Sequence, residues 1–305
     1  MKKRIPFKRV KAPKKRKRLK YIAILPSLVT LMNGLCGFIA ILLSSQGAAA
    51  WQPQLLPGFS VPFFALAAYM VFFGMIADVL DGHVARISQS TSSFGAQLDS
   101  LCDVISFGVA PAFLMIKLIE THSFHFQFMN PQFVIAFERA VYLIAIIYAM
   151  CAVIRLARFN VETKEDGAAE LGFEGLPSPT AAGLVISLVI FQQDFLPKIP
   201  EWSGLSIHGF ELAIIWVLPI ITLLAGLLMV TRIPYPHMVN RLLMGKKRFS
   251  TFILVLFTIL LTILNIQLAM LLGFYIFVIY GIMRWINLLL FSHKKKEQKP
   301  ETSDE

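Results

Sequence analysis

Four aspartates, Asp78, Asp81, Asp99 and Asp103, fall within 26 residues between long apolar segments. A carboxylate inside a bilayer is costly unless it is paired, hydrated or bound to a cation. Four of them in one helix–loop–helix call for a strong compensating charge, and a divalent cation is the simplest supplier. Asp78 and Asp81 are three residues apart, which puts both on one helix face, and Gly82 and Ala85 extend that face with room for something bulky. Arg86 follows, a guanidinium suited to a phosphate. After the polar run 88–93, Gly95, Asp99 and Asp103 recur every four residues, again on one face. Such oxygens suit Mg2+ or Mn2+, and no His or Cys stands in register to favour zinc. Two ions sharing carboxylates can clamp a diphosphate and stabilise an in-line displacement. A carboxylate not fully engaged by metal can take a proton from an attacking hydroxyl. Intramembrane acids also serve proton relays and cation-coupled transporters. The glycines and the arginine favour a phosphate-bearing substrate.

The elements that must position these residues are membrane helices. The chain of 305 residues is 56% hydrophobic, with a mean hydropathy of +0.67. Its apolar residues come in blocks long enough to cross a bilayer as helix. The pattern predicts an all-α, integral-membrane bundle of eight spans: 23–44, 61–81, 95–118, 134–156, 178–196, 211–231, 250–268 and 270–292. A short connection between the second and third makes them antiparallel neighbours, so their carboxylates can converge. The three cysteines, Cys36, Cys102 and Cys151, fall in predicted spans and offer neither a disulfide framework nor a paired zinc motif.

The formal net charge of +11 is concentrated. Residues 1–20 hold a dozen Lys and Arg, next to a membrane span, which reads as an anchor on anionic membrane lipids rather than a nucleic-acid site. The loops near Arg86, Arg155–Lys164 and Arg232–Arg248, and the tail at Lys294–Lys296, are also basic, whereas loop 45–60 has no Lys or Arg. Both termini and the aspartate cluster are therefore expected on the cytoplasmic side, in a cell inner membrane. A cleaved signal peptide is disfavoured, because the first apolar run is too long for one.

The run Asp78-x-x-Asp81-Gly82-x-x-Ala85-Arg86, then Gly95, Asp99 and Asp103, resembles position for position the signature of the CDP-alcohol phosphotransferases. That resemblance implies a six-helix catalytic core, often dimeric. It divides the chain into a basic segment at 1–22, the core at 23–231, a loop with two additional helices at 232–292, and a charged tail at 293–305. It also implies that Asp78, Asp81, Asp99 and Asp103 hold two divalent cations, with Asp103 doubling as base and Asp99 beside it in the catalytic set. Gly82, Ala85 and Gly95 would make space for CDP, and Arg86 would meet its phosphates or pyrimidine. Three further segments, Leu25 to Phe38, Arg155 to Asn160 and Phe173 to Pro179, are similar to the family's serine-accepting branch. Ser27 departs from the Asn that often follows the first-span proline there. This branch implies transfer of a phosphatidyl group from CDP-diacylglycerol to L-serine, with release of CMP. Glycerol 3-phosphate, inositol phosphate and choline are the other acceptors the family admits.

Arg155 and Arg158 are either a positive anchor or a grip on the serine carboxylate or a lipid phosphate, with Asn160 offering an amide to the same region. Asn33 is either a hydrogen-bonding neighbour of the nucleotide or a helix cross-link. The Gly175–Pro179 segment reads as a turn and helix start.

Overall fold

The computed structural model describes residues 24–47, 54–56, 59–88, 93–122, 130–165, 175–199, 207–233 and 262–297. Helix α1 is Ile24–Ser45 and α2 is Phe63–Ser88. The third span is α3, Ser93–Asp103, a π-helical turn, Val104–Val109, and α4, Ala110–His122, in one continuous run. Next come α5, Pro131–Glu165, and α6, Ser178–Ile190, which passes through a second π-helical turn, Phe191–Phe195, into a 3-10 turn, Leu196–Lys198. The last two are α7, Ile207–Val230, and α8, Ile266–Glu297. Among the described residues the only strands are Gln54–Leu56 and Phe59–Ser60, a small antiparallel ribbon between α1 and α2.

Seven stretches among the described residues are long and apolar enough to cross a bilayer, and the chain is a polytopic helical membrane protein. They correspond to seven of the eight expected spans. Most of the expected span at 250–268 lies outside the described residues, as do residues 1–22 and the end of the tail. Two expected ends fall furthest short. Helix α2 continues to Ser88 rather than ending near Asp81, and α5 continues to Glu165, so Arg155 to Asn160 lie within a helix and not after it. Leaving the apolar core does not stop a helix. A breaker does, and none occurs in 156–166 before Gly167. Helix α8 already begins at Ile266, which puts Gln267 inside the helix rather than in a break before it.

Both π-helical turns sit just ahead of a proline, Pro111 or Pro197. Proline has no N–H to give the carbonyl four residues back. For Pro111 that carbonyl belongs to Phe107, and the Tyr148 hydroxyl of α5 donates to it at 2.9 Å. The extra residue per turn is thus compensated by a neighbouring helix.

Helix α6 forms the centre of the bundle: every residue from Ala181 to Ile190 is buried. It is apolar all round, as a fully enclosed helix must be, and α2, α7 and α8 pack against it. Its start is pinned by Gly175, at φ 86°, whose N–H donates to the Ile233 carbonyl at 3.0 Å. A Cβ there would lie 2.5 Å from the Met229 carbonyl oxygen. At its far end Asp194, only 4% exposed, accepts from Tyr69 of α2 at 2.7 Å, Lys198 at 2.6 Å and Gln267 of α8 at 2.8 Å.

Helix α1 is built inside out. Its exposed stripe is Leu28, Leu31, Leu35, Phe38 and Leu42. Its buried stripe is Thr30, Asn33, Gly37, Ala40 and Ser44. The apolar side suits lipid, and the small polar side lets α1 lie close on α2 and α3. A Cβ on Gly37 would sit 2.6 Å from the Ser106 Cα, so the two backbones nearly touch.

Candidate active site

The aspartates come from two helices whose ends are held against α1. Asp78 and Asp81 lie near the end of α2, and Asp99 and Asp103 lie on α3, with Asp103 its last residue before the π-helical turn. One carboxylate oxygen from each of Asp78, Asp99 and Asp103 falls within 4.8 Å of the other two. The fourth acid, Asp81, is a close neighbour whose charge acts on both Asp78 and Asp99. It is 6% exposed and hydrogen-bonded to Thr30 of α1. The i,i+3 spacing leaves it about 60° round the helix from Asp78, which turns it toward α1.

This arrangement fits a divalent cation on its own chemistry. Like charges crowd together, and Asp81 Oδ2 and Asp99 Oδ1 are buried with no hydrogen-bond partner among the described residues. An unpartnered buried carboxylate oxygen is expensive, and a bound cation removes the cost. All the donors are hard oxygens, the set that Mg2+ and Mn2+ favour.

Around the acids the expected residues fall in distinct places. Gly82 is exposed on α2 and Gly95 is half-buried on α3. Ala85 and Arg86 lie in the last turn of α2, beyond both of its aspartates. Asn33 is fully buried, and its side-chain amide donates to Asp103 Oδ1 at 2.9 Å, so it cross-links α1 to α3. Arg155 of α5 lies within electrostatic reach of Asp103 and Asp78. Its Nη1 donates to the buried Ser178 hydroxyl at the start of α6, and its Nε is buried without a partner among the described residues. Arg158 is half-buried one turn further on. The Asn160 amide donates to the Ser100 hydroxyl of α3 at 2.8 Å. His83, off the carboxylate face by spacing, is exposed.

Three contributors went unread in the sequence: Thr30, Ser100 and Ser178. Thr30 had a signal, since Thr30, Asn33 and Gly37 repeat at helical spacing along an otherwise greasy span. Ser178 lies in the Gly175–Pro179 segment, which read only as a turn and helix start, and Ser100 had no signal; each acquires its role from a residue 23 or 60 positions away.

A family model described as CDP-alcohol phosphatidyltransferase matches residues 23–224. A protein from Helicobacter pylori named CDP-diacylglycerol--serine O-phosphatidyltransferase is 31% identical over 227 residues, 74% of this chain and 82% of its own length. A protein of the same name from Methanocaldococcus jannaschii is 29% identical over 268 residues, 88% of this chain and 97% of its own. An archaetidylserine synthase from Methanothermobacter thermautotrophicus is 32% identical over 176 residues, 57% of this chain and 61% of its own.

Proposed function

The chain belongs to the CDP-alcohol phosphatidyltransferase family and is an enzyme, and on that premise we propose that it transfers a phosphatidyl group from CDP-diacylglycerol to the hydroxyl of L-serine. The observation that carries the reading is the convergence of Asp78, Asp99 and Asp103 within 4.8 Å, at one end of a bundle of membrane helices. Serine as acceptor is supported by the relatives' names, which specify serine in both the bacterial and the archaeal proteins.

Asp78, Asp81, Asp99 and Asp103 would hold the ions, two Mg2+ or Mn2+. Held by these carboxylates, that positive charge would offset the diphosphate and the charge that builds on the departing CMP. Gly82, Gly95 and Ala85 leave space for the cytidine diphosphate, and Arg86, beyond the acids, meets its phosphates or base. The serine hydroxyl loses its proton to Asp103. Its oxygen forms a bond to the phosphorus carrying the diacylglycerol. The bond from that phosphorus to the bridging diphosphate oxygen breaks, and CMP leaves with the electron pair. Attack is direct, since the motif offers no obvious Ser, His or Cys nucleophile. Arg155, held by Ser178 with Nε unpartnered among the described residues, is the natural grip for the serine carboxylate or a lipid phosphate. Arg158 adds charge, and Asn160 ties the region to α3 through Ser100.

Both termini and the site face the cytoplasm of an inner membrane, the basic N-terminal segment rests on anionic lipids, and the working unit is a homodimer. The test is an acceptor series. Membranes containing the expressed protein receive CDP-diacylglycerol with serine, glycerol 3-phosphate, inositol phosphate or choline, and CMP is measured. Serine-dependent release alone is expected. Release with another alcohol reassigns the acceptor. Ion flux in proteoliposomes without nucleotide chemistry would replace the enzyme with a transporter.

A further inference from the structure

Asn33 lies between two elements of the site and touches both. It is 0% exposed, and its amide donates to Asp103 Oδ1 at 2.9 Å. Its backbone carbonyl accepts the Ser106 hydroxyl at 2.8 Å, from the π-helical turn that Asp103 precedes. Its side-chain oxygen is caged by α2, where a Cβ on Gly74 would approach it to 3.0 Å. The same residue of α1 thus grips the third span at the last residue of α3 and again within the π-helical turn that follows.

We propose that Asn33 is a positioning residue for Asp103: its amide holds one carboxylate oxygen and thereby keeps the group in a single orientation toward Asp78 and Asp99. The terminal torsion of an aspartate is broad and two-fold, so an unrestrained carboxylate exchanges its oxygens freely. A donor on one oxygen breaks that equivalence. The orientation of the amide is chosen by this bond. Turned over, it would set its oxygen against a carboxylate oxygen, and its own Oδ1 already lacks a partner among the described residues. The close approach of α1 fixes where the donor stands. A Cβ on Gly37 would lie 2.5 Å from Ser106 Oγ, and one on Gly34 would lie 2.8 Å from Cys102 Sγ, so α1 has no room to drift along α3. The role deepens the proposed reaction, in which Asp103 acts as ion ligand and base, and it replaces a nucleotide contact for Asn33.

The experiment uses the detergent-solubilised full chain. Mn2+ or Mg2+ alone is titrated against the thermal unfolding midpoint, and initial rates are measured separately. Removing an outer partner of a metal ligand costs about 10–100-fold in metal affinity or activity. Asn33→Ala should raise the half-saturating metal concentration by about that factor and lower kcat at least about tenfold, with KM for CDP-diacylglycerol within about twofold of the parent. A metal midpoint equal to wild type overturns the proposal. So does a raised KM with kcat and metal affinity intact, which makes Asn33 a nucleotide contact. Should Asn33→Ala fail to fold, Ser106→Ala decides. It leaves every acid and the Asn33 side chain in place and loosens only the backbone anchor. A shift of about threefold in the same direction supports the clamp, and an unchanged midpoint overturns it. A wild-type protein that binds metal in this way yet releases no CMP with serine would remove the proposed reaction and leave the metal result standing.

Discussion

The four acids differ in their surroundings. Asp99 lies within the convergent trio and has a buried oxygen with no partner among the described residues. Asp99→Asn keeps the shape and removes the charge, and transfer should fall by at least about 100-fold, the scale on which a positioned charge or base contributes. Full turnover in that variant, measured as CMP release, would end the assignment. Asp81 differs because Thr30 already satisfies part of it. Thr30→Val should lower activity less than Asp81→Asn does, and this ordering is checked in the same assay. The spacing of the four acids was legible from the chain alone, because helix geometry turns intervals of three and four into faces. On α1, a helix cross-link was one of the two readings open for Asn33, but the residue it meets was not legible, since which face of one helix meets which residue of another is decided by packing.

At the scale of elements, the third span carries a register change that no hydropathy pattern reveals. Its cause was nevertheless visible in Pro111, the residue that withholds a donor from Phe107. Tyr148 supplies one, and it is fully buried. Tyr148→Phe should therefore cost about 1–3 kcal/mol, read as a lower thermal midpoint, by leaving a buried carbonyl short of a donor. The approach of α1 to this turn makes a second prediction. Gly37→Val forces a branched side chain into a place where even a Cβ lies 2.6 Å from the Ser106 Cα. It should destabilise by about 3 kcal/mol and lower activity, since the helices cannot separate without moving Asp103. The helix ends were the least legible part. The sequence marks where lipid stops, whereas among the described residues α2 stays helical to Ser88 and α5 to Glu165, well past their apolar blocks. Arg155 to Asn160 consequently project from a rigid element and not from a loop.

For the whole molecule, the candidate chemistry occupies one end of the bundle and the Asp194 junction the other. The run from Asp103 to His122 spans roughly 28 Å at helical rise, about the depth of a hydrocarbon core. Stripping divalent cations with a chelator should abolish CMP release and lower the unfolding midpoint, and both should return when Mg2+ or Mn2+ is restored. Recovery with a monovalent salt alone would contradict the carboxylate assignment. The membrane class and the count of most spans were readable from composition, because apolar blocks have one stable fate in water and lipid. The attachment of the last helix was not, since it depends on Gln267 meeting an acid 73 positions earlier and on the Phe274 ring lying over Gly183. That attachment has an evolutionary corollary. An acid at 194, buried as it is, is tolerable only while donors surround it, and one of its three is supplied by the final helix. Kin that dispense with this helix lose a reason to keep the acid, and a neutral residue at the corresponding position should mark them out in any set of aligned sequences.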